Sequence, residues 1–154
     1  MQPTKMRILV FDAGPFVLLF TDEVGSDRAR KAVIQHEEGK ISIYIHPNNL
    51  SESYRVIDEI RREKPELLTR DVEPRTVVRS AYSTLNVFQD EKTTINLGRL
   101  KAKYRAKPWG DLSSAALALT LSNKEKVPVV ILDGEKHFED LEEVASIRIS
   151  DLKL

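Results

Sequence analysis

Three short apolar runs constrain this chain most. RILVF (7–11), ISIYI (41–45) and VPVVIL (127–132) are each too short for a buried helix, and two of them carry no polar residue beyond their first. Runs of this kind belong to strands covered on both faces, and such strands build parallel sheets packed between helices. The stretches between them supply the helices. SDRARKAVIQHEEG (26–39) has Ser26 placed to cap it and Gly39 to end it, and PNNLSESYRVIDEIRREK (47–64) sets Leu50, Tyr54, Ile57 and Ile60 along one face. RTVVRSAYSTL (75–85), EKTTINLGRLKAKYR (91–105), LSSAALALTLSN (112–123) and KHFEDLEEV (136–144) read as further helices, PFVLLF (15–20) as a short one opened by Pro15, and NVF (86–88) and SIRIS (146–150) as short strands. Strands that alternate with helices pair in parallel through crossover connections. The expectation is one domain over residues 1–154, a three-layer α/β/α arrangement around a central, mostly parallel sheet.

Composition narrows the function classes. Lys plus Arg and Asp plus Glu both number 24, so the chain has no global pull on anions and an anionic partner needs a local patch. KAKYRAKPWGD (101–111) is a candidate for one, because Lys101, Lys103, Arg105 and Lys107 alternate with Tyr104 and Trp109. The bland alternative is a solvated helix face. There is no cysteine, which removes disulfides and thiolate metal sites and fits a cytoplasmic location. No run approaches the roughly 18 apolar residues of a membrane span, and MQPTKM lacks the apolar stretch of a secretory signal.

The acids carry the chemistry. Asp12 follows the first strand, Glu52 lies in the first turns of the helix after the second, Asp111 opens the Ala-rich helix, and Asp133 and Glu135 follow VPVVIL. Each has a local explanation: Asp12 as a cap for the helix near Pro15, Asn49 and Glu52 as a capping box, Asp111 as an N-cap, Asp133-Gly134 as a turn. Jointly they have another. Sites in open parallel sheets form beyond the carboxyl ends of the strands, and helix starts after those strands face the same edge. Four or five carboxylates meeting there repel, and helix N-termini offset only part of that. A cation is needed, and an all-oxygen donor set selects Mg²⁺ or Mn²⁺ over zinc. His36, His46 and His137 lack metal-ligand spacing and read as structural or surface residues.

Taken together these segments resemble the PIN-domain ribonucleases, which include the VapC toxins. VFDAGPFVLL is similar to the family's first strand and the helix after it, NNLSESYRVI to its Asn-Leu-x-Glu signature, GDLSSAALALTL to its Asp-plus-Ala-rich helix, and VPVVILDGEKHFEDL to its last strand and following motif. The resemblance implies Mg²⁺- or Mn²⁺-dependent hydrolysis of RNA phosphodiester bonds. Asp12, Glu52 and Asp111 would be the first ligands, with Asp133 or Glu135 completing the cluster. It also implies a homodimer and a protein antitoxin as partner. Two motifs depart from the pattern. The final motif has Asp133 and Glu135 where the family has Thr and Asp, and Ala13-Gly14 follows Asp12 where many relatives carry Ser or Thr. These departures motivate the alternative reading, a catalytically weak PIN-like domain that binds RNA or protein. A receiver-like phosphoacceptor domain is a third reading, on fold-level analogy alone.

Overall fold

The computed structural model describes residues 6–122, the backbone of 129–133, and residues 141–154. Among the described residues five strands form one sheet in the order β3-β2-β1-β4-β5: β1 Arg7–Phe11, β2 Ile41–Ile45, β3 Asn86–Val87, β4 Val129–Asp133 and β5 Ala145–Arg148. Every pairing is parallel, with Leu9 opposite Ile43 on one side and opposite Val130 on the other. Among the described residues six α-helices surround the sheet: α1 Ala13–Val17, α2 Ser26–Glu37, α3 Pro47–Glu63, α4 Pro74–Thr84, α5 Glu91–Lys103 and α6 Trp109–Leu121.

The period-two geometry of β1 divides its side chains between two cores. Leu9 and Phe11 pack with Ile41, Ile43 and Ile45 of β2 against α1 to α4, while Ile8 and Val10 pack with Tyr44 against α5 and α6. The anticipated three layers follow directly. Leu9, Val10 and Phe11 are all fully buried, and burying a side chain of this size contributes roughly 1.5–3 kcal/mol. The Ala-rich sequence of α6 has a packing reason. Leu112, Ala115, Ala116, Leu117 and Ala118 are buried together, and small residues let this helix lie close on α5 and the sheet.

Several local expectations are corrected. Helix α6 begins at Trp109 with Pro108 as its N-cap, so Asp111 sits in the first turn and is not the cap. His46 caps α3, its Nδ1 accepting the N–H of Asn48 at 3.0 Å, which overturns the Asn49–Glu52 capping box. Asp12 occupies the N-cap position of α1 but makes no side-chain capping bond. Gly25, at φ +96°, precedes α2, and Ser26 instead accepts the N–H of Glu23. Residues 141–144 form a turn where a helix was expected; the rest of that segment, with His137, lies outside the described residues. Tyr54, assigned to the buried face of α3, is 47% exposed, whereas Leu50 and Ile57 are buried. The structural reading of His36 holds. Its Nδ1 accepts the N–H of Ile43 and its Nε2 meets the carbonyl of Thr84, tying β2 to the end of α4.

The last described residues close one core from below. Ile149 and Leu152 are buried, and Arg28 and Arg7 donate to the carbonyls of Leu152 and Lys153. Among the described residues no helix is long and apolar enough to cross a membrane.

Gly25 is where this packing is least forgiving. A Cβ there would lie 2.9 Å from Ile149 Cγ2 and 3.2 Å from Leu18 Cδ1, on a backbone in the left-handed region. Gly25→Ala is expected to cost about 2 kcal/mol or more in urea unfolding, against a change near zero for Gly39→Ala if strain were irrelevant. Gly39, at φ +76° with no atom near its Cβ site, isolates the backbone contribution.

Candidate functional site

The strand order places a crevice at the middle of the sheet. The chain runs outward from β1 through β2 to β3, then crosses to β4 and β5 on the other side, so the topological switch lies between β1 and β4. Asp12 stands at the carboxyl end of β1. Phe11 pairs with Leu132, which brings the backbone of Asp133, the last residue of β4, beside it. Glu135 lies outside the described residues.

Asp12 is only 6% exposed, and its burial is organised by two wholly buried neighbours, Asn49 of α3 and Ser114 of α6. Asn49 Nδ2 donates to Asp12 Oδ1 at 3.0 Å and to the carbonyl of Gly110 at 3.0 Å. The Ser114 hydroxyl lies 3.0 Å from Asp12 Oδ1 and 3.0 Å from Asn49 Oδ1, so it shares its proton between them. Three segments distant in sequence are locked together by this polar knot. Removing one member strands buried partners, at a cost of about 1–3 kcal/mol each. Neither Asn49 nor Ser114 was singled out from the sequence as a site residue. The available signal was polarity inside apolar helices: Asn49 on the inward side of α3 and a Ser pair in an otherwise Ala-rich run.

Glu52 and Asp111 reach the same place from α3 and α6. With Asp12 they line a cleft of about 750 Å³ that continues between α1 and α3 past Val17, Val56 and Ile60. The contact of α3 with α6 is tight at this point, because a Cβ on Gly110 would lie 2.6 Å from Glu52 Oε2. Burial first, then the charges of Asp111 and Glu52, push the Asp12 carboxyl up to about 7; the Ser114 hydroxyl and the Ala13 N–H pull the other way. Three of the five predicted acids are thus brought together, the backbone of a fourth adjoins them, and the fifth is not described.

The oxygen-only donor set fits a hard divalent ion, and the mutual destabilisation of the carboxylates is what such an ion relieves. Among the described residues no three acidic or histidine side chains are gathered tightly enough to cage an ion by themselves. Mg²⁺ does not require a cage: it retains several waters and uses one or two carboxylates together with phosphate oxygens. His46 is fully buried, and burial pushes its ring down to about 4, so it stays a neutral helix cap.

The basic run next to the cleft is largely turned on itself. Lys101 Nζ donates to the carbonyls of Arg105 and Lys107, at 3.0 and 2.6 Å, and sits 5.2 Å from the centre of the Trp109 ring. Lys103 and Tyr104 both bind Glu143. These side chains organise the bend between α5 and α6, so most of the expected phosphate patch serves a structural purpose. Arg55 pairs with Glu59 at 2.7 Å, its i,i+4 neighbour on α3.

No family model and no curated protein sequence matches this chain. Among solved structures it is similar to a chain of VapBC-1 from nontypeable Haemophilus influenzae, with a TM-score of 0.56 and 15% identity over 93% of this chain and 98% of that one. The fold is PIN-like, as the sequence motifs implied.

The buried carboxyl sets a pH dependence. Folded Asp12 keeps its proton to about pH 7, whereas the unfolded side chain loses it near pH 4. Its contribution is therefore complete at low pH and is lost as pH rises through 7. Measured by urea unfolding without divalent ions, the protein is expected to lose about 1–3 kcal/mol relative to Asp12→Asn between pH 5 and 8. A parallel pH profile for the two proteins would refute this.

Proposed function

We propose that this chain is a divalent-metal-dependent endoribonuclease of the PIN type that hydrolyses RNA phosphodiester bonds. The observation that carries the reading is the meeting of Asp12, Glu52 and Asp111 in one cleft at the switch point of the sheet. Structural caps account poorly for these acids, since none of the three supplies the side-chain capping bond of its helix. Asp12, Glu52 and Asp111 would hold Mg²⁺ or Mn²⁺, with Asp133 or Glu135 completing the set. The ion, when bound, supplies a lowered water pKa and stabilises charge on phosphate oxygens.

The residues of the chain divide the remaining work. Asn49 and Ser114 hold Asp12 Oδ1, fixing the carboxylate against rotation. Asp12, at the end of a strand buried on both faces, is the rigid member of the set. Glu52 and Asp111 are partly exposed and reach in from helices on either side. Pro108, Val17 and Leu18 line the same cleft as the acids and give it apolar walls. The fold shared with a VapBC chain supports a place in a toxin–antitoxin pair, with this chain as the toxin and a protein antitoxin as partner.

Calorimetric titration with Mn²⁺ is expected to show binding by the wild type and none by Asp12→Asn. Equal binding, or none by either protein, would end the metal-site argument. Glu52→Gln is expected to lower Mg²⁺-dependent cleavage of single-stranded RNA by at least about a hundredfold with an unchanged circular dichroism spectrum. Gly110→Ala offers a finer check. The added methyl displaces the Glu52 carboxylate, the end of a flexible side chain, while helix propensity improves. Thermal stability should hold or rise as Mn²⁺ affinity falls about tenfold.

A further inference from the structure

The far side of α3 from the acidic cleft carries a second groove, of about 380 Å³, lined by Pro47, Leu50, Ser51, Tyr54, Val78 and Tyr82. Its walls are the two tyrosines, 47% and 61% exposed, on α3 and α4. Two adjacent exposed aromatic rings are more than the scatter of single apolar residues normal on a surface.

Charge identifies what fits between them. Arg75 and Arg79 precede Tyr82 by seven and three residues on α4, which sets both beside the groove wall that Val78 and Tyr82 form. Both are exposed, and among the described residues neither has an ion-pair partner. Arg30, Arg55, Arg61 and Arg62 are paired with acids. Arg70, Arg99 and Arg148 are also exposed without such a pair among the described residues, but only Arg75 and Arg79 share the helix of Val78 and Tyr82. The chain is neutral overall, and the basic run at 101–107 is occupied with its own carbonyls and Glu143. Stacking faces flanked by unpaired guanidinium groups are the chemistry of single-stranded nucleic acid.

The path to the cleft is short. On α3, Leu50 and Tyr54 face the groove, Glu52 and Val56 face the cleft, and Ser51 and Arg55 are exposed on the ridge between them. A strand crossing this ridge covers only one helix width, about 10–12 Å. A second copy of the chain is the competing occupant. A symmetric contact of that kind would bring Arg75 and Arg79 of both copies to one interface, where their charges oppose association.

We infer that the Tyr54–Tyr82 groove, with Arg75 and Arg79, is a subsite for single-stranded RNA flanking the bond to be cut. The inference deepens the nuclease reading and rests on it for the identity of the strand. Binding is measured by fluorescence anisotropy with a short labelled single-stranded oligoribonucleotide in EDTA, so that cleavage plays no part. Tyr54→Ala and Tyr82→Ala are each expected to weaken binding about fivefold or more, while Tyr82→Phe retains wild-type affinity. Arg75→Ser and Arg79→Ser are each expected to reduce the slope of log affinity against log salt by about 0.7. All four side chains are exposed, and an unchanged thermal midpoint confirms that each variant folds.

Unchanged RNA affinity in the tyrosine variants overturns the subsite. So does a shift in oligomeric state by light scattering, which assigns the groove to a second copy. The nuclease reading fails separately. If the wild type cleaves no RNA with Mg²⁺ or Mn²⁺ but binding still depends on these tyrosines, the groove stands and the metal chemistry falls.

Discussion

A single buried carboxyl group organises this molecule. Asp12 is nearly inaccessible to water, and its oxygen is held by an amide from α3 and a hydroxyl from α6. Burying a carboxyl group without partners is costly, so the three segments have one favourable mutual arrangement. That arrangement carries Glu52 and Asp111 with it, since each lies three residues from a member of the knot, on the same two helices. The acidic cleft is therefore a consequence of how the sheet and its two covering layers are joined. The knot also holds the acids under electrostatic tension, which raises the proton affinity of Asp12.

Helix α3 mediates most of the rest. One side of it packs through Leu50 and Ile57 onto the sheet and α4, a second faces the acids, and a third presents Tyr54 outward. Its start is fixed by His46, a cap whose ring stays neutral because it is buried. A rigid helix with three different faces makes both grooves parts of one frame, and neither can shift far without disturbing the other.

Much of this was legible in the sequence. The apolar runs at 7–11 and 41–45 gave the central strands within a residue, and the 3.6-residue period gave α2, α3 and α4 nearly to their ends. The acids at strand ends pointed to the right edge of the sheet. What escaped has identifiable causes. Pro108 and Gly110 lay outside the helix assigned to 112–123, yet Pro108 is the N-cap residue of α6 and Gly110 makes room for Glu52. Asn49 looked like a local cap because its actual partners, Asp12 and Gly110, are remote in sequence. The lysines at 101 and 103 looked free because a sequence does not reveal which carbonyls and carboxylates a long side chain will reach. Tyr54 fell on the helix stripe by spacing, but the stripe is narrower than the spacing allowed.

The sheet order carries a kinetic consequence. Central strand β1 pairs on one edge with β2 soon after it and on the other with β4, Ile8 meeting Val129. During synthesis the first edge is covered early, while the second stays open until β4, more than a hundred residues further along, has been made. Closing so long a loop is slow, and an apolar strand with an uncovered edge invites pairing with other chains. The nascent protein thus passes through an interval in which one edge of a strand buried in the finished fold is uncovered, and conditions that slow translation lengthen that interval.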